Sequence, residues 1–456
     1  MEPKLEKKYG LFTAIAMVVG IVIGSGVFFK AEKILTATGG NLKEGILAWV
    51  IGGIIMISCA YTFSVMATKY QYINGVVDYA EATMGKKYAY YVGWFMAVIY
   101  YPTITSVLAW VSARYTCVIF GFSITGGECM TIACLYLISS FTMNALSPVL
   151  AGKFQVSTTV IKLIPLFLMA VIGSFVGLRS GMTMYNFTHY VSQRTSNGLF
   201  TAVVAASFAY EGWIIATCIN AELKNAKRNL PLALIAGTFI TMSVYILYYI
   251  GLAGTIKNEV MMAGGETGAK LAFQTVFTSA GGSLLFVFVI ISCLGTLNGL
   301  MLGCTRGIYS IAARGLGPKP RIFSQVDPAT NMPVNSAIMG LFLCGVWLFY
   351  FYGANLTDNW FGFFSFDSSE LPIITIYALY IPIFIMFMVK GKELNFFNRI
   401  LMPCISLAGC IFMITAAWFA HGIAAVAYLI VFFVIMAFGA VLLQKTKLPL
   451  NDIPHK

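Results

Sequence analysis

The chain has 456 residues, of which 59% are apolar and only 10% charged, with a mean hydropathy of +0.83. Soluble domains carry about 25% charged residues, so water is not the main solvent of this chain. A net charge of +12 invites a nucleic-acid partner, but the basic residues fall in short segments between apolar runs rather than on one face, which excludes that class.

Apolar runs bounded by charged residues or by Gly and Pro divide the chain into twelve predicted spans. They lie near residues 11–30, 44–67, 90–120, 129–148, 154–178, 199–220, 231–256, 283–312, 334–354, 362–389, 399–419 and 422–443. Each meets or approaches the ~20 residues that cross about 30 Å of hydrocarbon. Span one holds Gly24-Ser25-Gly26 near its centre. Each glycine weakens a helix by about 1 kcal/mol relative to alanine, so the triplet marks either a close helix contact or a break that admits a ligand.

Span five carries Lys162 between Ile161 and Leu163, with Pro165 just beyond. It lies eight residues past the predicted inner boundary near Phe154, roughly 12 Å deep, and reads either as a fixed functional cation or as a snorkelling side chain. Span six is interrupted at Phe208-Ala209-Tyr210-Glu211-Gly212-Trp213. A lone intramembrane carboxylate costs about 3 kcal/mol, so Glu211 requires a partner or a watery cavity. Arg114 and Arg306 fall toward the ends of long spans, where snorkelling or packing accounts for them. Asp367 and Glu370 either line an outer vestibule or precede a span ten that begins after Pro372.

Spans one and six open two successive sets of five. Interrupted helices at corresponding positions of two halves point to a transport site at the membrane midplane. An unwound segment there offers backbone N–H groups and a positive helix end to a carboxylate, and freed carbonyls to an ammonium. A zwitterion suits both. Of the 29 Lys and Arg residues, nineteen fall in the odd-numbered segments that are inner if the N-terminus is cytoplasmic, seven in outer segments and three inside spans. That bias predicts both termini in the cytoplasm and an even number of spans. No small-residue cleavage site follows the first apolar run, so span one is expected to be retained. The ten cysteines form no CxxC pair, the three histidines lie apart from one another, and neither a metal nor another cofactor is expected.

Gly24-Ser25-Gly26 followed by Val27-Phe28-Phe29 resembles the first-span motif of the amino acid/polyamine/organocation (APC) superfamily. Phe208 to Trp213 resembles the span-six motif of its L-type amino acid transporter and bacterial serine/threonine exchanger branch. The following loop, Glu222 to Pro231, is similar to the pattern of that branch except that Ala226 stands where proline is usual, and Leu294 to Gly299 and Arg306 to Pro318 are also close. The matches extend over residues 11–333.

The resemblance implies an all-α membrane protein of twelve transmembrane helices, a leucine-transporter-type 5+5 inverted repeat with helices one and six broken. Its parts would be a cytoplasmic segment 1–10, repeats at 11–178 and 199–389, helices eleven and twelve at 399–443, and a cytoplasmic tail at 444–456. Substrate binding is implied at Ile23, Gly24, Ser25, Gly26, Phe208, Ala209, Glu211 and Gly212: the carboxylate meets N–H groups at Ser25 and Gly26, and the ammonium meets carbonyls near Ile23 and Phe208. Lys162 would occupy the place of a sodium ion, bridging spans one and eight with Ser292 as partner, and Tyr245 would support the unwound part of span one. A sodium-independent exchanger of neutral L-amino acids in the cell membrane follows, working by alternating access. The alternatives are a proton-coupled symporter using Glu211 or Lys162, and more remotely an ion channel. An enzyme is not expected, because no Ser-His dyad or paired intramembrane aspartates can be drawn. Animal relatives are tied by a disulfide in the loop between spans three and four to a glycoprotein. Cys129 lies near the end of that loop, which is short, so such a heavy-subunit partner is not expected; the partners are amino acids and the bilayer.

Overall fold

The computed structural model describes residues 7, 9–24, 26–70, 75–189, 197–264 and 268–445. In hydrocarbon every backbone N–H and C=O must be satisfied inside its own segment, and the apolar runs accordingly become helices. Among the described residues, eleven helices are long and apolar enough to cross a membrane. They are Leu42–Lys69, Lys86–Phe120, Gly127–Leu146, Pro148–Ser180, Gly198–Thr217, Ala226–Ala253, Gly281–Ala312, Val334–Leu356, Leu371–Lys390, Phe397–His421 and Ile423–Gln444, which are spans two to twelve. Span one is the twelfth, divided into Leu11–Val22 and Gly26–Ala37. Each half alone is too short to cross.

Four boundaries differ from the sequence reading. The second half of span one runs on to Ala37, which brings Lys30 and Lys33 out of the predicted outer loop and into the helix. Span three starts at Lys86, after a separate short helix Gly75–Met84. A helix that begins at Gly268 changes course at Phe277 and Thr278, where φ of Thr278 is +67°, before span eight proper. Span ten begins at Leu371 with Pro372 in its first turn, where a missing N–H costs nothing; the predicted start at 362 falls in a short 3-10 turn, Gly362–Phe364.

The two broken helices cross antiparallel. The first half of span one packs on the second half of span six, and the second half of span one packs on the first half of span six. That reciprocal contact is what two inverted five-helix repeats produce, and the architecture is of the leucine-transporter type. Spans three, five and eight enclose the breaks on one side, and spans two and seven on the other. Span eleven packs on spans two, six and ten, while span twelve touches the start of span three, the 3-10 turn Gly362–Phe364 and span eleven, and leaves Phe433, Val434 and Phe438 facing outward. Exposed Leu135, Phe175 and Phe342 continue this apolar outer surface, as lipid contact requires.

Candidate functional site

Span one unwinds at Ile23, whose ψ of 95° ends the helix although its N–H still donates to Val19 O at 2.8 Å. Ser25, proposed above as a binding residue, lies outside the described residues. Once the ladder stops, carbonyls on this turn have no helical donors and are taken by side chains from other spans. Tyr245 of span seven reaches Val22 O at 3.0 Å and Ala209 O at 2.9 Å, so one buried hydroxyl ties the broken turn of span one to that of span six. Ser292 Oγ donates to Gly24 O at 3.2 Å.

Lys162 is fully buried, which removes the snorkelling reading. Its ammonium donates to Gly20 O at 2.7 Å, Ile23 O at 2.5 Å, Ser292 O at 3.1 Å and Thr296 Oγ1 at 3.1 Å. Thr296 Oγ1 in turn lies 3.1 Å from Gly20 O and 2.9 Å from Ile23 O. The negative end of the first half-helix, together with these oxygens, compensates a charge that would be prohibitive in hydrocarbon alone. The arrangement spans helices one, five and eight. It also changes the role drawn for Ile23: its carbonyl, expected to meet a substrate ammonium, is held by Lys162 and Thr296.

Span six ends its α-helical half at Tyr210. Glu211 turns to ψ 159° and Gly212 adopts φ +106°, a conformation side chains other than glycine's resist, and a 3-10 segment Trp213–Glu222 completes the crossing. Phe208 O accepts the Glu211 N–H at 3.3 Å. The Glu211 carboxylate turns to span three, where Tyr100 OH donates to it, so its partner is a tyrosine rather than the broken turn of span one. At the crossing itself, a Cβ added to Gly26 would lie 2.7 Å from Ala209 Cα. Only glycine lets the two backbones approach this closely.

Ion pairs flank the breaks on both sides. Toward one end, Lys30 Nζ sits 2.5 Å from Glu370 Oε1 and 4.5 Å from the centre of the Phe208 ring; Lys33 and His421 also reach Glu370, at 3.2 and 3.1 Å. Asp367 caps the start of span ten by accepting from the N–H groups of Ser369 and Glu370. Toward the other end, Arg306 is buried and paired with Glu222, so packing rather than snorkelling accounts for it. Tyr9 joins the same corner: its N–H donates to Glu222 O at 3.1 Å and its carbonyl accepts from Lys224 N at 2.8 Å. Arg314 lies between Asp78 and Glu81, joining span eight to the helix that precedes span three. Arg114 stays at the span edge with its guanidinium 5.2 Å from the Trp110 ring.

Among the described residues, Gly26 and Ala209 meet at the crossing, Tyr245 ties its two broken turns and Lys162 and Ser292 stand beside it, while Glu211 is turned aside to Tyr100 and the Ile23 carbonyl is held by Lys162 and Thr296. Thr296, Tyr100 and a buried amide chain were not anticipated. In that chain Asn298 Nδ2 donates to Gln155 Oε1 at 3.0 Å and Asn144 Nδ2 to Asn298 Oδ1 at 2.9 Å, joining spans four, five and eight below Lys162. A signal for Thr296 was available: Ser292 and Thr296 are four apart and share one face of an apolar helix.

Two interrupted helices crossing beside a fixed buried cation, within a ten-helix core, define a secondary transporter of the membrane. A family model described as amino acid permease matches residues 9–442, and the chain belongs to that family, within the APC superfamily. It is 27% identical over 417 residues to the serine/threonine exchanger SteT of Bacillus subtilis (strain 168), covering 90% of this chain and 91% of that one. Similarity extends to the human b(0,+)-type amino acid transporter 1, 26% over 379 residues with 76% and 75% covered. The human cystine/glutamate transporter is 24% identical over 340 residues, with 74% and 66% covered. This chain is accordingly a multi-pass amino acid transporter and not an enzyme.

Proposed function

We propose that the chain exchanges neutral L-amino acids across the cell membrane without sodium, with both termini in the cytoplasm. The observation that carries this reading is the Lys162 ammonium, held by Gly20 O, Ile23 O, Ser292 O and Thr296 Oγ1. Oxygens of this type are hard ligands suited to a small cation, and the Lys162 ammonium at their centre takes the place sodium would need. Substrate carboxylate binds the N–H groups at Ser25 and Gly26, at the positive end of the second half of span one. With the Ile23 carbonyl engaged, the substrate ammonium turns to the Phe208 side of the crossing, and the Phe208 ring closes over the substrate from outside. Neutral side chains are favoured because the nearby charges have protein partners: Lys30 with Glu370, Glu211 with Tyr100 and Lys162 with its oxygens. Rocking of one helix group against the other then alternates access, with the outer Lys30–Glu370 and inner Arg306–Glu222 pairs opening in turn.

The inner-outer charge bias read along the sequence, nineteen against seven, supports the orientation. Counterflow in proteoliposomes tests the function. Uptake of labelled neutral amino acids requires an amino acid inside and is unchanged when sodium is replaced by choline. Equal uptake into empty vesicles overturns exchange, and accumulation driven by an imposed pH gradient replaces it with proton coupling through Glu211 or Lys162.

A further inference from the structure

Seven residues before Lys162, about two turns along the same face of span five, stands Gln155, which is completely buried. Its Oε1 accepts from Asn298, while its Nε2 has no acceptor among the described residues. That nitrogen is turned toward the first half of span one, where a Cβ added to Gly20 would lie 2.6 Å from it. A buried amide donor is ordinarily paired, because a bare one loses its hydration and gains nothing in exchange. The surroundings are polar as well. Asn298 Nδ2 also donates to Ala151 O at 3.1 Å, and Asn144 Nδ2 to Ser140 O at 3.0 Å. Asn144 and Asn298 line a small cavity that Met17, Gly152, Gly299 and Tyr9 also bound. A Cβ on Gly299 would lie 3.4 Å from Gln155 Oε1, so a residue without a side chain is what stands between the cavity and the Gln155 amide. Tyr9 closes the corner. Its backbone is held by Glu222 O and Lys224 N, its ring lies 3.2 Å from the position of a Cβ on Gly152, and its hydroxyl lies 3.5 Å from Pro148 O.

We propose that this corner is a second amino acid station, on the route between the crossing and the inner face, with Tyr9 as its plug. It rests on the transport reading and the orientation given above. When the first half of span one swings away from spans five and eight, Gly20 uncovers Gln155 Nε2, and this nitrogen donates to the carboxylate of an amino acid in transit. Asn144, whose nitrogen is spent on Ser140 and Asn298, presents its oxygen to the ammonium. Met17 and Leu302 of the same cavity are apolar and suit an uncharged side chain. In the closed arrangement the Gln155 donor faces a glycine and is unrewarded, so the station acquires its affinity only as the inner route opens. Amides carry no charge and hold a zwitterion less tightly than ionic partners would, which lets a station on the path release what it binds.

Entry of a labelled neutral amino acid is measured in right-side-out and inside-out membrane vesicles, which load from the outer and the inner face, with saturating unlabelled amino acid on the far side. Gln155→Leu removes the donor, and the concentration for half-maximal entry rises by about tenfold from the inner face while it stays unchanged from the outer face. A merely structural role for Gln155 moves both faces alike. The second measurement leaves Gln155 in place. Leu302→Cys is treated with an impermeant thiosulfonate in each kind of vesicle, and modification at position 302 is read by peptide mass. Modification is expected in inside-out vesicles, slower with saturating amino acid and faster when Tyr9→Ala is added. A change in half-saturation that is equal on both faces or absent from both overturns the station, as does modification that amino acid leaves unaltered. Effects confined to right-side-out vesicles overturn its inner placement. Where the inner-face effect and the protection are seen but entry persists into vesicles with no amino acid on the far side, the station stands and obligatory exchange is what fails.

Discussion

Replacing Lys162 by methionine keeps much of the side chain's length and removes its charge. Three carbonyls and one hydroxyl then lose a charged donor: Gly20 O, Ile23 O, Ser292 O and Thr296 Oγ1. Thr296 Oγ1 can still serve Gly20 O or Ile23 O but not both, because it has one proton. The net loss is therefore one to two hydrogen bonds from a charged group, about 3 kcal/mol in total. That corresponds to a roughly 150-fold weaker hold of span one against spans five and eight. Exchange in proteoliposomes is expected to fall by about 100-fold while the variant still elutes as a monodisperse species in detergent. Lys162→Arg fails as well, because a planar guanidinium cannot enter a pocket shaped around one small ammonium. Lys162→Ala vacates the oxygens, so its thermal midpoint rises with added sodium and does not rise with choline, whereas the native midpoint ignores both. Exchange by Lys162→Met within a few-fold of the native rate would refute the account of Lys162 as the group that holds span one.

Tyr245→Phe removes the hydroxyl shared between Val22 O and Ala209 O, and should cost about 1–2 kcal/mol, read as an approximately tenfold fall in exchange rate at normal expression. Gly26→Ala abolishes transport because its Cβ would stand 2.7 Å from backbone Cα of Ala209, while Gly345→Ala, with nothing within 4 Å, leaves transport and thermal midpoint unchanged; loss of activity in both would reject the steric argument. For the buried Arg306–Glu222 pair, Arg306→Met or Glu222→Leu alone leaves an uncompensated partner and destabilises by about 3–5 kcal/mol. The double variant Arg306→Met/Glu222→Leu loses less than either single change, and strictly additive midpoints would show that the two groups do not depend on each other.

Much of this protein was legible before any coordinates because hydropathy is local and accumulates along the chain. Twelve runs of apolar residues are enough to commit the backbone to helices in hydrocarbon, wherever their neighbours lie. Gly24, Gly26 and Gly212 disclosed the breaks for a similar reason: glycine weakens its own turn of helix. Lys162 stood out since a charge at that depth needs compensation whatever its partners are. The identity of those partners was another matter. Gly20 and Ile23 lie about 140 residues from Lys162 in the chain, and Thr296 lies 134 away, so their meeting depends on how whole spans pack. The same holds for Lys30 and Glu370, separated by 340 residues, and for Glu222 and Arg306, each of which alone resembled an ordinary charge near a helix end. Glu211 shows the limit most clearly. Its sequence position marks it as an expensive buried carboxylate, but only the packing of span three against span six turned it toward Tyr100 and away from the crossing. Periodicity and composition decide which segments leave water; which oxygen faces which ammonium is decided by contacts between segments remote in sequence, and these exist only after the fold is complete.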